Sequence, residues 1–255
     1  MTIAVLIGVA LLAGIFAGLT GAGGGLILVP LLVYLGYSPL EAVATSSIAV
    51  MISAIAATAM NSRDHKIPWQ RVLRLSVPAM LLAPIGALVA SKSPEIALLV
   101  AFCALNVLNI YLLGRRSRLA NTGPQTETDL DTNVAGKVLV VGGSGGLLAG
   151  LFGVGGGLVM VPLQVQWLAT PIQAAARLSL AVIIFSSAGA ILGHAVSGDG
   201  SLHWATGLIL GIGGVVGAPL GAKILNRISQ RTSTIIFQIT LLAVTISLLV
   251  KIATY

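Results

Sequence analysis

The chain has 255 residues, 56% hydrophobic and only 8% charged, with a mean hydropathy of +1.02 and a net charge of +7. A soluble domain would carry about a quarter charged residues, so the composition excludes an ordinary soluble enzyme or binding module. Apolar runs of roughly 20 residues, the length that crosses a bilayer, recur along nearly the whole sequence. Backbone groups in lipid must be satisfied internally, which leaves helices or a closed barrel. The runs are continuous rather than alternating and rich in Leu, Ala, Ile and Gly, which selects helices. The basic residues sit in short loops between the runs, as cytoplasmic loops do, and not in a patch built for nucleic acid. The single cysteine, Cys103, lies inside an apolar run. It excludes an internal disulfide and a multi-cysteine metal site, and reads as a small core residue. Met1-Thr-Ile-Ala has no basic region before its apolar run, so residues 1–20 are read as mature protein rather than a cleaved signal.

In chain order, the first predicted element is a broken segment over 2–36. Its apolar run is interrupted by Gly18-Leu-Thr-Gly21-Ala-Gly23-Gly24-Gly25 before resuming at Leu26 and reaching Pro30. Full spans are predicted at 38–60, 70–90 and 95–113. Arg115, Arg116 and Arg118 then open a polar, acidic stretch from Asn121 to Asn133, expected to be a flexible connector over 114–135. The second half repeats the series. A broken segment over 136–168 carries Gly150-Leu-Phe-Gly153-Val-Gly155-Gly156-Gly157-Leu158 and Pro162, and spans follow at 170–195, 203–224 and 232–252. The two glycine stretches, with Pro39 and Pro171, stand 132 residues apart; Trp69, Pro84, Gly86 and Lys92 match Trp204, Pro219, Gly221 and Arg227 at 135. The chain therefore divides into a first transmembrane repeat (1–113), a cytoplasmic connector (114–135) and a second repeat (136–255).

Residues 26–36 wound as a helix would cover only ~16 Å, about half the hydrocarbon core. Non-helical backbone at that depth is tolerated only inside protein or beside a water-filled cavity. Each broken segment therefore either turns back as a re-entrant hairpin or crosses once with an unwound middle. If both turn back, the halves are inverted. The inner side then holds Arg63, Lys66, Arg71, Arg74, Arg115, Arg116, Arg118, Lys137, Lys223, Arg227 and Arg231, against Lys92 and Lys251 outside. If each crosses once, Lys223, Arg227 and Arg231 move outside and Lys251 moves in. The charge bias favours the first arrangement, with both termini outside. The expected fold is an all-α polytopic membrane protein of two inverted repeats, each a glycine-broken re-entrant helix plus three transmembrane helices.

Glycine suits such breaks because it reaches backbone angles closed to other residues and lets a ligand touch the main chain. Where the helix resumes, at Leu26 and Leu158, the first-turn N–H groups lack partners and the helix dipole is positive, an end prepared for an anion. Gly21, Gly23, Gly24, Gly25 and Leu26, with Gly153, Gly155, Gly156, Gly157 and Leu158, are the candidate substrate-binding backbone. The competing reading gives the glycines a packing role alone. Arg177 is the clearly intramembrane cation, and such charges are costly and functional by default; its guanidinium forks well onto oxyanions. Snorkelling to the headgroups is its alternative. Its repeat mate is Thr45, in Thr45-Ser46-Ser47, whose hydroxyls are candidate donors, as is Ser179. Asn106 and Asn109, at i, i+3 spacing on one helix face, and Gln238 line a path or act as polar glue between helices. Ser186 and Ser187 are weak signals, since helical serines bond their own backbone.

His65, His194 and His203 fall in or beside loops, where a proton-coupled role is open to them; their scatter gives no metal-ligand spacing. Asp64 and Asp199, at matching positions of the repeat, are read as loop caps. Glu41, at a helix start after Pro39, complements the dipole. No metal or cofactor is expected.

The duplicated glycine stretch running into Pro30 and Pro162, together with Thr45-Ser46-Ser47, resembles the TauE/SafE family of membrane permeases, or sulfite exporters. The resemblance covers nearly the whole chain apart from the 114–135 connector. It implies a multi-pass protein of a bacterial inner membrane that moves sulfite, sulfoacetate or other small organosulfur anions. Arg177-Leu178-Ser179 in place of Thr45-Ser46-Ser47 departs from symmetry and implies a site suited to a dianion or carboxylate.

The expected function is a secondary transporter, an exporter of a small oxyanion such as sulfite or an organosulfonate, working by alternating access. An anion channel or facilitator for a small carboxylate or other inorganic anion is the alternative. The expected partners are the anionic substrate, the lipid bilayer and a coupling proton or sodium. No Walker phosphate loop, no G-x-S-x-G elbow and no H-E-x-x-H motif occurs, so neither ATP hydrolysis nor a membrane-embedded enzyme is expected.

Overall fold

The structure, a computed structural model, describes residues 3–21, 23–64, 67–117, 132–168, 170–198, 200–225, 227–228 and 230–253. His65, Lys66, Arg118, Asp199 and the stretch from Asn121 to Asp131 lie outside the described residues. Ten helices and no strand occur among those described: α1 (Ile3–Thr20), α2 (Gly25–Tyr34), α3 (Pro39–Asp64), α4 (Trp69–Lys92), α5 (Glu95–Ser117), α6 (Thr132–Phe152), α7 (Gly157–Trp167), α8 (Ile172–Ser197), α9 (Trp204–Leu225) and α10 (Gln230–Ala253). Each predicted span corresponds to one helix, and each broken segment to a pair. Helices α5 and α6 run into the expected connector by a few residues at either end.

Among the described residues, α3, α4, α6, α8 and α9 are long and apolar enough to cross a membrane. The exposed faces of α4, α5, α9 and α10 are covered with Leu, Ile and Val, which makes lipid their natural surroundings. Helices α3 and α8 are the most buried and pack on each other at the centre. The partners of the remaining helices are reciprocal between halves. Helix α1 packs on α9 as α6 packs on α4, α9 on α3 as α4 on α8, and α2 on α3 as α7 on α8.

These exchanges depend on glycine ladders. The backbones of Ile7, Leu11 and Ile15 lie over Gly213, Gly217 and Gly221 of α9, in ascending order. Helices α1 and α9 therefore run parallel. Likewise Leu75, Ala79 and Ala83 of α4 lie over Gly142, Gly146 and Gly150 of α6. With lipid as apolar as leucine, helices associate through close van der Waals packing, which a glycine at every fourth residue permits. Helix α3 also runs parallel to α9, with Ile48 and Ile52 over Gly207 and Gly211, and α4 to α8, with Met80 and Pro84 over Gly189 and Gly193.

At Gly150, an added Cβ would overlap Ala83 O and stand 2.6 Å from Ala87 N. Gly150→Ala is expected to destabilise by about 1–3 kcal/mol through overpacking, read as a lower Tm in detergent. Gly136, in the same helix, has nothing within 4 Å of that position. Gly136→Ala is expected to be neutral or to stabilise by up to about 1 kcal/mol.

Candidate functional site

Both predicted breaks are present, at repeat-related positions. Helix α1 stops at Thr20 and α2 begins at Gly25; α6 stops at Phe152 and α7 begins at Gly157. Gly21 and Gly153 take φ of 66° and 65°, and Gly23 and Gly155 take 85° and 77°. These left-handed values are open to glycine and strained for other residues. The next pair differs. Gly24 has φ −72°, in the right-handed helical region, whereas Gly156 has φ 80°.

The two breaks meet. The backbone of Gly25 lies against Gly153 and Val154, and Gly23 against the Val154 carbonyl. Gly155 packs on the side chains of Val50 and Ile183, one from each central helix. Gly21 lies against Ala176 of α8, and Gly153 against Val43 and Ser46 of α3. No side chain could enter these contacts, so the glycines bring two irregular main chains into touch at the crossing of α3 and α8.

Irregular backbone buried this deep needs partners from other helices. Ser46 Oγ donates to Gly153 O at 3.0 Å as well as to Val43 O at 2.9 Å. Ser186 Oγ donates to Gly155 O at 2.8 Å, and His194 Nε2 to Gly150 O at 3.1 Å. His194, read from sequence as lying in or beside a loop, sits in the last turn of α8 and is buried at 1% exposure. Ser186, a weak signal in the sequence, holds the second break.

Gly24 and Gly156 occupy the N-cap positions of α2 and α7, and no side chain caps either end. Ile27 and Leu28 donate to Gly24 O, and Val159 and Met160 to Gly156 O. The N–H groups of Gly25, Leu26, Gly157 and Leu158 precede these first helical donors and have no partner within their own helices. All four residues are buried. Pro30 and Pro162 lack the N–H that would bond the Leu26 and Leu158 carbonyls, so each short helix is loosened one turn in.

The hydroxyl cluster is buried but engaged. Ser47 Oγ donates to Val43 O at 3.0 Å. Thr45 Oγ1 accepts from His203 N at 3.2 Å and lies 3.5 Å from Ser201 O. Ser179 Oγ accepts from Gln164 Nε2 at 2.8 Å. Arg177 is half-buried, and two residues along a helix place it roughly 200° around α8 from Ser179. Asn106 and Asn109 are buried on α5, whereas Gln238 is half-buried and reaches Ile110 O at 3.5 Å. Gln164 was not foreseen. Its signal is its place in an apolar run where the other half carries Leu32.

A second polar group joins the halves at the start of α3. Ser38 and Glu41 form a reciprocal capping box, Ser38 N to Glu41 Oε2 at 2.7 Å and Glu41 N to Ser38 Oγ at 3.3 Å. Glu41 Oε1 also lies 3.0 Å from His203 Nε2, and Tyr37 meets Thr206 through its hydroxyl at 3.0 Å. The turn before α3 is thereby tied to the α8–α9 connection.

The Gly24 and Gly156 difference gives a paired test. A Cβ on Gly24 has Ala13 O as its nearest neighbour at 3.4 Å, whereas one on Gly156 would overlap Gly145 O in a left-handed backbone. Gly24→Ala is expected to keep a Tm near that of the parent. Gly156→Ala is expected to lose about 2–4 kcal/mol from backbone strain and overlap together. Thermal unfolding of the two variants in detergent checks it.

The chain matches the family described as Sulfite exporter TauE/SafE over residues 6–248. It is similar to the probable membrane transporter protein YunE of Bacillus subtilis, at 25% identity over 96% of each chain. It is also similar to a probable membrane transporter protein of Methanocaldococcus jannaschii, at 23% identity over 89% of this chain and 87% of the relative. Another relative, from Xylella fastidiosa, bears the same description at 26% identity over 86% and 83%. No solved structure matches. Glycine-broken helices, lipid-compatible faces and this match agree on a membrane transporter, and the chain belongs to the TauE/SafE family.

Proposed function

We propose that the chain is a secondary transporter that moves a small oxyanion, sulfite or an organosulfonate, between two inverted repeats. One observation carries this reading: the uncapped starts of α2 and α7 follow breaks that touch each other at the centre of the molecule. Two positive helix ends beside bare amides suit a negative solute, and Arg177 follows Ala176, the α8 residue that Gly21 of the first break touches. Because α1 and α3 run with α9 while α6 and α8 run with α4, and short connections reverse the chain from α3 to α4 and from α8 to α9, related helices of the halves point oppositely. That supports inversion. It also supports α2 and α7 as returning arms, with three crossings in each half. Contact between the two breaks favours a carrier over an open pore, since the centre is closed by main chain. The negative interior of a cell favours anion exit by about 2.3 kcal/mol per charge per 100 mV, so export needs no nucleotide.

Uptake of labelled sulfite and organosulfonates into proteoliposomes tests the function. Saturable flux with counterflow is expected, and Arg177→Ala is expected to reduce it at least about tenfold, the scale of one lost charge-assisted contact. Normal transport by Arg177→Ala removes Arg177 from the site. Accessibility labelling of single cysteines at the termini, in a Cys103→Ser background, is expected to find both on the outer face. A cytoplasmic N-terminus overturns the inverted arrangement.

A further inference from the structure

Two helices that pack together, α5 of the first repeat and α7 of the second, carry buried amides that the anion site leaves unused. Phe102 of α5 packs edge-on against Phe152, the last residue of α6, with ring centroids 5.5 Å apart. This contact sets α5 beside the second break. Asn106 and Asn109 follow Phe102 on the same helix face, one and two turns on, and are 0% and 1% exposed. Helix α7 starts from that break and packs against both α5 and α8. Gln164, fully buried, lies two turns along it and donates to Ser179 Oγ.

The unused atoms are mainly acceptors. Asn109 Nδ2 donates to Leu105 O at 2.8 Å, which fixes its oxygen as the other end of the amide. Among the described residues, Asn109 Oδ1, Gln164 Oε1 and both polar atoms of Asn106 have no hydrogen-bond partner. Buried amide oxygens without donors cost about 1–3 kcal/mol each, and such groups are normally satisfied by protein, water or ligand. The repeat-related positions on α10 and α2 are apolar. At the same offsets, Gln164, Asn106 and Asn109 become Leu32, Leu241 and Val244, all buried. Packing alone is met there by apolar side chains, so the amides answer a different need.

Surplus acceptors repel a bare oxyanion and suit a hydroxyl or amino group. We propose that Asn106, Asn109 and Gln164 form a subsite for a hydrogen-bond donor on the transported anion. The preferred substrate is then a short sulfonate or carboxylate bearing a hydroxyl or amino group, not a simple inorganic anion. This rests on the anion-transport reading above, and it assigns specificity to the side of the site where α5 meets α7.

Transport of 2-hydroxyethanesulfonate and ethanesulfonate by the full chain in proteoliposomes tests it. A site that pairs with a donor discriminates strongly against the analogue lacking it. The hydroxylated anion is expected to show at least about tenfold higher kcat/KM. Gln164→Leu, which installs the residue present at position 32, is expected to bring that ratio toward one. Asn106→Leu is expected to do the same, which guards against a folding defect in either variant. Equal transport of the two anions by the parent chain, or an unchanged ratio in both variants, overturns the subsite and leaves anion transport standing. Transport of neither anion, nor of sulfite, removes both.

Discussion

A peptide group in hydrocarbon has no water to fall back on, and every departure from a helix must be matched by a partner elsewhere in the protein. Most of this fold follows from meeting that demand twice. The break glycines Gly21 and Gly23, and residues 153–156, lie not toward lipid but against each other and against the two most buried helices. The carbonyls of the second break draw donors from Ser46 on α3 and Ser186 on α8, and His194 of α8 bonds the Gly150 carbonyl one turn before it. The central helices therefore serve two purposes. They fill the core with Val50 and Ile183, and they carry the polar atoms that keep an irregular main chain dry.

The same demand explains the asymmetry between halves. A duplicated sequence gives similar breaks, yet Gly24 is right-handed where Gly156 is left-handed. Gln164 stands where the first half has Leu32, and Arg177 where it has Thr45. Each change falls at or near the path from the second break along α7 and α8. Scaffold positions have kept their pairing, whereas the polar positions have diverged. That is the pattern of a symmetric framework holding a one-sided site.

Much of this was legible in the sequence for simple reasons. Apolar runs set the helices, and the glycine clusters set the breaks to within a few residues, because both depend on local chemistry. The offset of 132 residues announced the pairing of α2 with α7 before any contact was known. Side-chain partners were not legible, since they depend on which helices become neighbours. Nothing in the surroundings of His194 places it under the Gly150 carbonyl, and Gln164 is one amide in an apolar run until Ser179 is brought beside it. Thr45, Ser46 and Ser47 are buried hydroxyls in α3, a helix apolar and long enough to cross a membrane. Their engagement with carbonyls of α3, the second break and the α8–α9 connection depends on tertiary packing that no spacing rule contains.

The glycine ladder between α1 and α9 also bears on how the molecule is made. Helix α1 leaves the ribosome long before α9, the surface it packs on, which begins only at Trp204. At ordinary synthesis rates of about 5–20 residues per second, it waits on the order of tens of seconds for its neighbour. During that interval a narrow, glycine-containing helix must be sheltered by lipid, by the insertion machinery or by transient contacts with the nascent first half. Docking of α1 is therefore a late event in biogenesis, completed only when α9 arrives beside it.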